Sequence, residues 1–309
     1  MITTVTLNAA IDKTYYVNSF RIGEVQRVGR QIAEPGGKGN NVAKVIRLLG
    51  GDVTASGIVA GSSGSFIEEN LKERGIETSF VRVPGESRVC LNILEESNRK
   101  STELLEAGPE INGIHIAEMK EVVHRLALRS TVVVLSGSLP PGAPADLYVE
   151  LIHVIRSTQA RVYLDTSGAA LSSGLLACPH FVKPNEQELA QWMGRERWGD
   201  ADWVEAAEKL AGVGIEQVCV TLGSRGAIAF IGGEGYLVSP PLIKAVNTVG
   251  CGDSFVAGMA FADDRGDTPA ERLRIAAAAA AANAMSDKAG HVDYSLFQAY
   301  MEQVKVITL

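Results

Sequence analysis

Short runs of consecutive apolar, largely β-branched residues recur along the chain, each closed by small or polar residues and followed by a helix-like pattern. TVVVL (131–135) leads into Ser136-Gly137-Ser138, and RVYLD (161–165) into Thr166-Ser167-Gly168. HFVKPN (180–185) opens into EQELAQWM, and QVCVTLG (217–223) into Ser224-Arg225-Gly226. Unbroken apolar strands alternating with helices predict a parallel sheet covered on both faces. In such sheets ligands collect at the carboxyl ends of strands, so these polar loops are expected along one edge. The alanine run 276–282 is too short and too weakly apolar to cross a membrane and reads as a tightly packed helix.

Two segments break this rhythm. Residues 14–33 alternate and contain Tyr15, Val17, Phe20, Val25 and Val28, without a helix pattern. Residues 88–104, RVCLNILEESNRKSTEL, read as a hairpin with Ser97-Asn98 near its turn. Two strand pairs from separate places predict a small antiparallel sheet beside the core, suited to a lid or a dimer surface.

Composition narrows the class. With 309 residues, 46% hydrophobic but only 6% aromatic, the core is one of Val, Leu, Ile and Ala, as in an α/β protein. Net charge is −7 and no Lys/Arg-rich run occurs, which argues against sequence-independent nucleic-acid binding but leaves room for a small anionic ligand. Cys90, Cys178, Cys219 and Cys251 form no CxxC pair and have no histidines at metal-ligand spacing. Cys90 and Cys219 fall in strand-like runs and read as small buried hydrophobes. A reducing cytoplasm is expected, with no signal segment and no membrane association.

Candidate chemistry gathers in the glycine-rich stretches. In EPGGKGNNVAKVIRLLG (34–50), Gly36, Gly37 and Gly39 surround Lys38 just ahead of an amphipathic helix. Bare backbone lets N–H groups close on an anion, and the helix start adds partial positive charge. The run is not a P-loop, and taken alone it serves equally as a turn into a helix; Lys38 tips it toward an anion. Arg27 and Arg88 lie in the two lid segments. Each alone is an ordinary surface charge, but a lid closed over Lys38 would add two guanidinium forks for a phosphate. Asp12 suits sugar hydroxyls or a turn. Asn185 and Glu188 have capping-box spacing, and Glu188 equally suits magnesium held through water. TLGSRGA brings Thr221, Gly223, Ser224 and Gly226 to a strand end that admits a nucleotide phosphate.

NTVGCGDSFVAG (247–258) is the sharpest signal. Asp253 alone reads as a helix N-cap, yet capping does not explain Gly250 and Gly252. Bare amides from Gly250 to Asp253 would form an anion nest beside a carboxylate able to take a proton from an attacking hydroxyl. The helix start is expected to lower the pKa of Asp253, and a loose phosphoryl-transfer transition state tolerates so weak a base.

GGKGNNVA (36–43), SGSLPPG (136–142), VKPNEQEL (182–189) and NTVGCGDSF (247–255) stand in the order and spacing of the PfkB-type carbohydrate kinases, and the chain resembles that family over essentially its whole length. The lysine in GGKG is similar to the sugar-phosphate branch, whose members act on fructose 1-phosphate or tagatose 6-phosphate. The resemblance implies a ribokinase-like α/β fold: a three-layer α/β/α core with a mostly parallel central sheet and a small β-sheet lid. It implies one domain over 1–309, with lid segments at about 12–35 and 87–105. ATP and Mg²⁺ are the implied cofactors. Asp253 matches the family's base, and Gly250, Cys251 and Gly252 its anion hole. Asp12, Gly37, Lys38, Asn41, Arg88 and Ser138 match sugar-phosphate positions, with Arg27 an addition. Lys183, Asn185, Glu188, Ser224 and Gly226 match nucleotide and magnesium positions, with Thr221 and Gly223 in the same loop. Cys251 departs from the family's usual alanine and NAAID from its usual NPAID or NPSID; a thiol beside the anion hole would make activity sensitive to oxidation. The implied reaction is ATP-dependent phosphorylation of a ketohexose monophosphate, with fructose 1-phosphate the first choice and tagatose 6-phosphate the alternative. A sugar-phosphate sensor without turnover would need no Asp253. A homodimer through the lid follows from the same likeness.

Overall fold

The computed structural model describes residues 1–98, 100–195 and 198–309. Strand β1 (Ile2–Thr6) is followed by an excursion, β2 (Ala10–Val17) and β3 (Arg30–Gly36), before α1 (Lys38–Leu48), β4 (Val53–Ala60), α2 (Gly61–Glu73) and β5 (Glu77–Val83). A second excursion, β6 (Arg88–Glu95) and β7 (Ser101–Leu105), precedes α3 (Gly113–Ala127) and β8 (Val132–Ser136). The alternation continues through α4 (Leu147–Arg156), β9 (Arg161–Asp165), α5 (Gly168–Leu176), β10 (Phe181–Val182), α6 (Glu186–Met193), α7 (Asp200–Ala211) and β11 (Gln217–Thr221). The chain closes with β12 (Ala227–Ile231), β13 (Glu234–Ser239), α8 (Cys251–Asp264), α9 (Pro269–Ala284), α10 (Tyr294–Met301) and β14 (Lys305–Thr308).

The main sheet has ten strands in the order β14-β13-β12-β11-β10-β9-β8-β1-β4-β5. It is parallel from β11 to β5, and β12, β13 and β14 extend it antiparallel. Side-chain alternation explains why the inner strands are largely apolar on both faces. On β8, Val132 and Val134 join the core beneath α1, α8 and α9, while Val133 and Leu135 join the core beneath α3, α4 and α7. Both faces are therefore covered, and most inward positions are apolar; the buried polar exceptions on the central strands include small hydroxyl residues such as Thr3, Thr4, Thr54 and Ser56, and Asp165 at a strand end. The result is the three-layer α/β core that the strand–helix alternation predicts.

The alanine run packs as tightly as its composition suggests. A Cβ added at Gly258 of α8 would come 2.6 Å from the Ala276 Cα and 2.9 Å from its backbone nitrogen on α9. Gly258→Ala should therefore destabilise the protein by about 1–3 kcal/mol, read by urea unfolding, because the clash with a neighbouring backbone outweighs alanine's better helix propensity. An unchanged midpoint would mean that the two helices separate freely.

The two excursions form a separate four-stranded sheet in the order β3-β2-β6-β7. Its central pair, β2 and β6, is parallel, so the sheet is mixed rather than wholly antiparallel as the sequence suggested. The hairpin reading of 88–104 matches β6 and β7. The alternating stretch 14–33 is only partly strand: residues 18–29 lie outside β2 and β3, and Ile22 and Val25 there are exposed. The lid edges the main sheet on the side where β8, β9, β10 and β11 end.

Candidate active site

A cavity of about 1030 Å³ lies between the lid and the carboxyl ends of the central strands. Its wall takes Asp12, Gly37, Lys38, Asn41 and Arg88 from the lid side and from α1. The opposite wall takes Lys183, Asn185, Thr221, Gly223, Ser224 and Gly226. Gly250, Cys251, Gly252 and Asp253 stand between them at the start of α8. Residues scattered over more than two hundred positions thus converge because the strands are parallel and their loops emerge on one edge.

Asp253 is the third residue of α8 and is buried, while the cap position belongs to Gly250 in the left-handed region at φ 81°. The plain N-cap role is thereby overturned. Asn41 on α1 donates through Nδ2 to Asp253 Oδ2 at 2.8 Å, which fixes the carboxylate and leaves its second oxygen to the cavity. The expected lowering of its pKa is also corrected. Burial is the larger influence, reinforced by the negative Asp165 and opposed by Lys38, and it raises the Asp253 pKa to about 6. The carboxylate is thus a better base than the helix dipole alone would leave it.

Around it the amides are partly spent. Cys251 N–H turns back to Thr248 O at 3.3 Å, and the helix ladder begins only with Ser254 N–H to Gly250 O. The Gly250, Gly252 and Asp253 amides donate to no acceptor among the described residues, so they are left to meet an anion. Burial pushes the Cys251 thiol up, which keeps it protonated and runs against the expected sensitivity to oxidation.

One residue central to the site went unsingled in the sequence reading. Asp165, fully buried at the end of β9, lies 3.4 Å from the Nζ of both Lys38 and Lys183. The two ammonium groups hold its carboxylate below the usual range, and Asp165, with the further negative fields of Asp253 and Glu188, raises the pKa of Lys38. Lys183 in turn reaches the anion nest, since a Cβ at Gly252 would come 3.2 Å from its Nζ. A single carboxylate therefore ties Lys38 at the start of α1 to Lys183 just beyond β10. The signal was present in RVYLD, an acid at the carboxyl end of a buried strand. Lys44 was also passed over as one more helix lysine. It is buried, donates to Pro35 O at 2.9 Å and Ala289 O at 3.0 Å, and desolvation lowers its pKa to about 8.

Other predicted residues sit less simply. Asp12 on β2 has its pKa raised by burial, against the pull of Lys44 and Arg88. Arg88 donates through Nε to Asn8 O at 3.2 Å and lines the cavity. Ser138 is exposed near Asn8, whose Nδ2 lies 3.5 Å from its Oγ, and it does not line the cavity. Arg27 is not brought to the cleft; it stands exposed between β2 and β3. Cys90, expected to be buried, is half-buried and forms part of the cavity wall. Glu188 does form the capping box, accepting from Asn185 N–H at 2.9 Å while Asn185 Oδ1 accepts from Glu188 N–H at 2.9 Å.

The residues fit a nucleotide and a metal that keeps its water. Ala277, Ala280, Ala281 and Ala284 of α9 add an apolar portion to the lining that Ser224 and Gly226 share, which suits a base. Among the described residues no three metal-ligating side chains cluster, and Glu188 stands one residue beyond Gln187 of the cavity wall, where it could meet a metal only through water.

A buried carboxylate, bare amides at a helix start and two lysines in one cleft suit a phosphotransferase acting on a hydroxyl. The chain belongs to the PfkB family of carbohydrate kinases, whose model matches residues 5–292. It is 37% identical over 310 residues to a tagatose-6-phosphate kinase of Staphylococcus epidermidis, with 99% of each chain covered. Its fold is that of phosphofructokinase-2 from Escherichia coli, solved in complex with fructose-6-phosphate, at TM-score 0.91 and 28% identity over 98% of each chain. A structure from Thermotoga maritima titled as a possible 1-phosphofructokinase superposes at TM-score 0.90 and 25% identity, covering 100% of this chain and 99% of that one. The fold is ribokinase-like, and the protein is a sugar-phosphate kinase.

Proposed function

We propose that the protein transfers the γ-phosphoryl group of ATP to the free primary hydroxyl of a ketohexose monophosphate, either C6 of fructose 1-phosphate or C1 of tagatose 6-phosphate. The observation that carries this reading is the pairing, within one cavity, of the buried carboxylate Asp253 with the cation Lys38 at the base of the lid. Lys38 and Arg88 hold the phosphate already on the sugar, and Asp12 and Asn41 face its hydroxyls; the Asn41 Oδ1 is buried without a partner and suits a hydroxyl donor. Asp253 accepts the proton of the attacking hydroxyl as its oxygen bonds to the γ-phosphorus and the bond from that phosphorus to the bridging oxygen breaks, releasing ADP. The Gly252 and Asp253 amides and Lys183 face the charge on the transferring group. Magnesium, when bound near Glu188 through water, would neutralise the nucleotide phosphates.

Fructose 1-phosphate is our first choice of acceptor, although the motifs resemble both groups, and the Staphylococcus epidermidis relative supports the alternative, tagatose 6-phosphate. The products are pseudo-symmetric bisphosphates, so one pocket can receive both. ATP consumption should be measured with fructose 1-, fructose 6- and tagatose 6-phosphate beside unphosphorylated fructose and ribose. The expected result is a kcat/KM for fructose 1-phosphate or tagatose 6-phosphate at least about tenfold above either free sugar, the worth of a charge-assisted phosphate contact. Equal turnover of free sugars would remove Lys38 and Arg88 from phosphate binding, and no turnover at all would favour a sensor. We also assign a homodimer through the lid, which exposes Ile22, Val25, Leu104 and Leu105. Four free cysteines suit a cytoplasmic setting, and no helix among the described residues is long and apolar enough to cross a membrane.

A further inference from the structure

The alanine-rich helix α9 carries one buried amide near its end, Asn283, and its side chain is spent entirely on two loops. Nδ2 donates to Val249 O at 2.9 Å and lies 3.5 Å from Cys251 Sγ. Oδ1 accepts from the backbone N–H groups of Gly290 and His291 at 2.9 and 3.2 Å. A fully enclosed polar side chain in a helix interior is costly unless satisfied, and this one is satisfied only while both loops keep their places.

Both loops lead to the reacting centre. Val249 immediately precedes Gly250, the left-handed residue that starts α8. Gly290 is wedged on the other side: a Cβ there would come 2.9 Å from both Asn41 Cα and Lys44 Cε, and one at Gly250 would come 2.8 Å from Gly290 N. The 289–291 segment thus fills the space between α1, whose Asn41 holds the Asp253 carboxylate, and the glycine turn that aims the free amides. Lys44 pins the same segment through Ala289 O.

We propose that Asn283 is a positioning residue for phosphoryl transfer, setting the distance between the α8 start and α1 so that the amides of Gly252 and Asp253 and the Asp253 carboxylate meet the transferring group together. This rests on the reading of Gly250–Asp253 as the anion hole. Asn283 touches neither sugar nor nucleotide, so its effect should fall on turnover rather than on ground-state binding. A misplacement of about 1 Å in such a centre costs on the order of a hundredfold.

The test uses two variants. Asn283→Asp keeps the acceptor for Gly290 and His291 but loses the donor to Val249 O. Asn283→Ser is smaller and neutral, and can serve one loop but not both. With ATP and the preferred phosphosugar, kcat should fall by about tenfold to a hundredfold in each folded variant, with both KM values changed less than about threefold. Affinity for ADP with aluminium fluoride and phosphosugar, a mimic of the transferring group, should weaken in parallel, while affinity for ADP alone stays put. A lowered unfolding midpoint with unchanged kcat and unchanged fluoride-complex affinity would reduce Asn283 to a packing residue and overturn the proposal. Asp253→Asn serves as the control. If that variant retains turnover, Asp253 is not the base and the reading of Gly250–Asp253 as the reacting centre fails with it; if it is inactive while both Asn283 variants turn over normally, only the present proposal fails.

Discussion

Replacing Asp253 with asparagine should lower kcat by about 10²–10⁴-fold, the usual contribution of a positioned base, while leaving the affinity for ATP nearly intact. The asparagine matches the carboxylate in shape and still has an oxygen to accept from Asn41, so the cavity keeps its form and the loss isolates the proton step. A pH profile provides an independent reading. Because burial raises the Asp253 pKa to about 6, the competent carboxylate prevails above that value. Turnover in the wild type should therefore fall about tenfold per unit as pH drops below about 6, and in Asp253→Asn this acid limb should vanish. Near-normal turnover in the variant would take Asp253 out of the base role. The same shift bears on stability in the opposite sense. The folded chain holds this proton more tightly than the unfolded chain does, so the group's contribution favours folding at acid pH and is lost as pH rises from about 4 to about 6.

The second large effect is expected at Lys38. Lys38→Ala should raise the KM for the phosphosugar by about ten- to a hundredfold, the worth of one charge-assisted contact to phosphate, with the KM for ATP changed only a few-fold. Asp165 complicates this in an instructive way. In the wild type its buried carboxylate is shared by Lys38 and Lys183 at 3.4 Å each. Without Lys38 it rests on Lys183 alone, which should draw that lysine from the nucleotide and give the modest change in the ATP term. Lys38→Arg restores the charge but not the compact ammonium, and should recover sugar-phosphate binding in part. A KM change confined to ATP would place Lys38 on the nucleotide instead.

The sequence showed the core well for a simple reason. Runs such as TVVVL and RVYLD are buried on both faces, and a doubly covered strand leaves no position where a polar residue is cheap. The lid was harder to read. Its strands alternate and its loop does not, so the pattern across 14–33 overstated the ladder, and the parallel pairing of β2 with β6 joins residues about eighty apart that no local pattern links. Within the site, glycine-flanked residues were legible because bare backbone near a charge has few other uses. Asp165, Lys44 and Asn283 were not. Their roles come from what long-range packing sets beside them, and in the sequence they are an acid ending a strand, one helix lysine among several and one amide among alanines. The Asp253 pKa was misjudged for the same reason. The helix start is visible in the sequence, but the burial that outweighs it is not.

Only Gly37 separates the end of lid strand β3 from the first residue of α1, which is Lys38. That glycine takes φ 93° and lies so close to Thr6 that a Cβ would come 2.7 Å from its Cγ2, so it is a pivot without slack. Any tilt of the small sheet would therefore be passed to the foot of Lys38 as rotation. In the proposed reaction, covering the sugar and gripping its phosphate would then be a single stroke, and a chain lengthened by one residue at this joint would uncouple them.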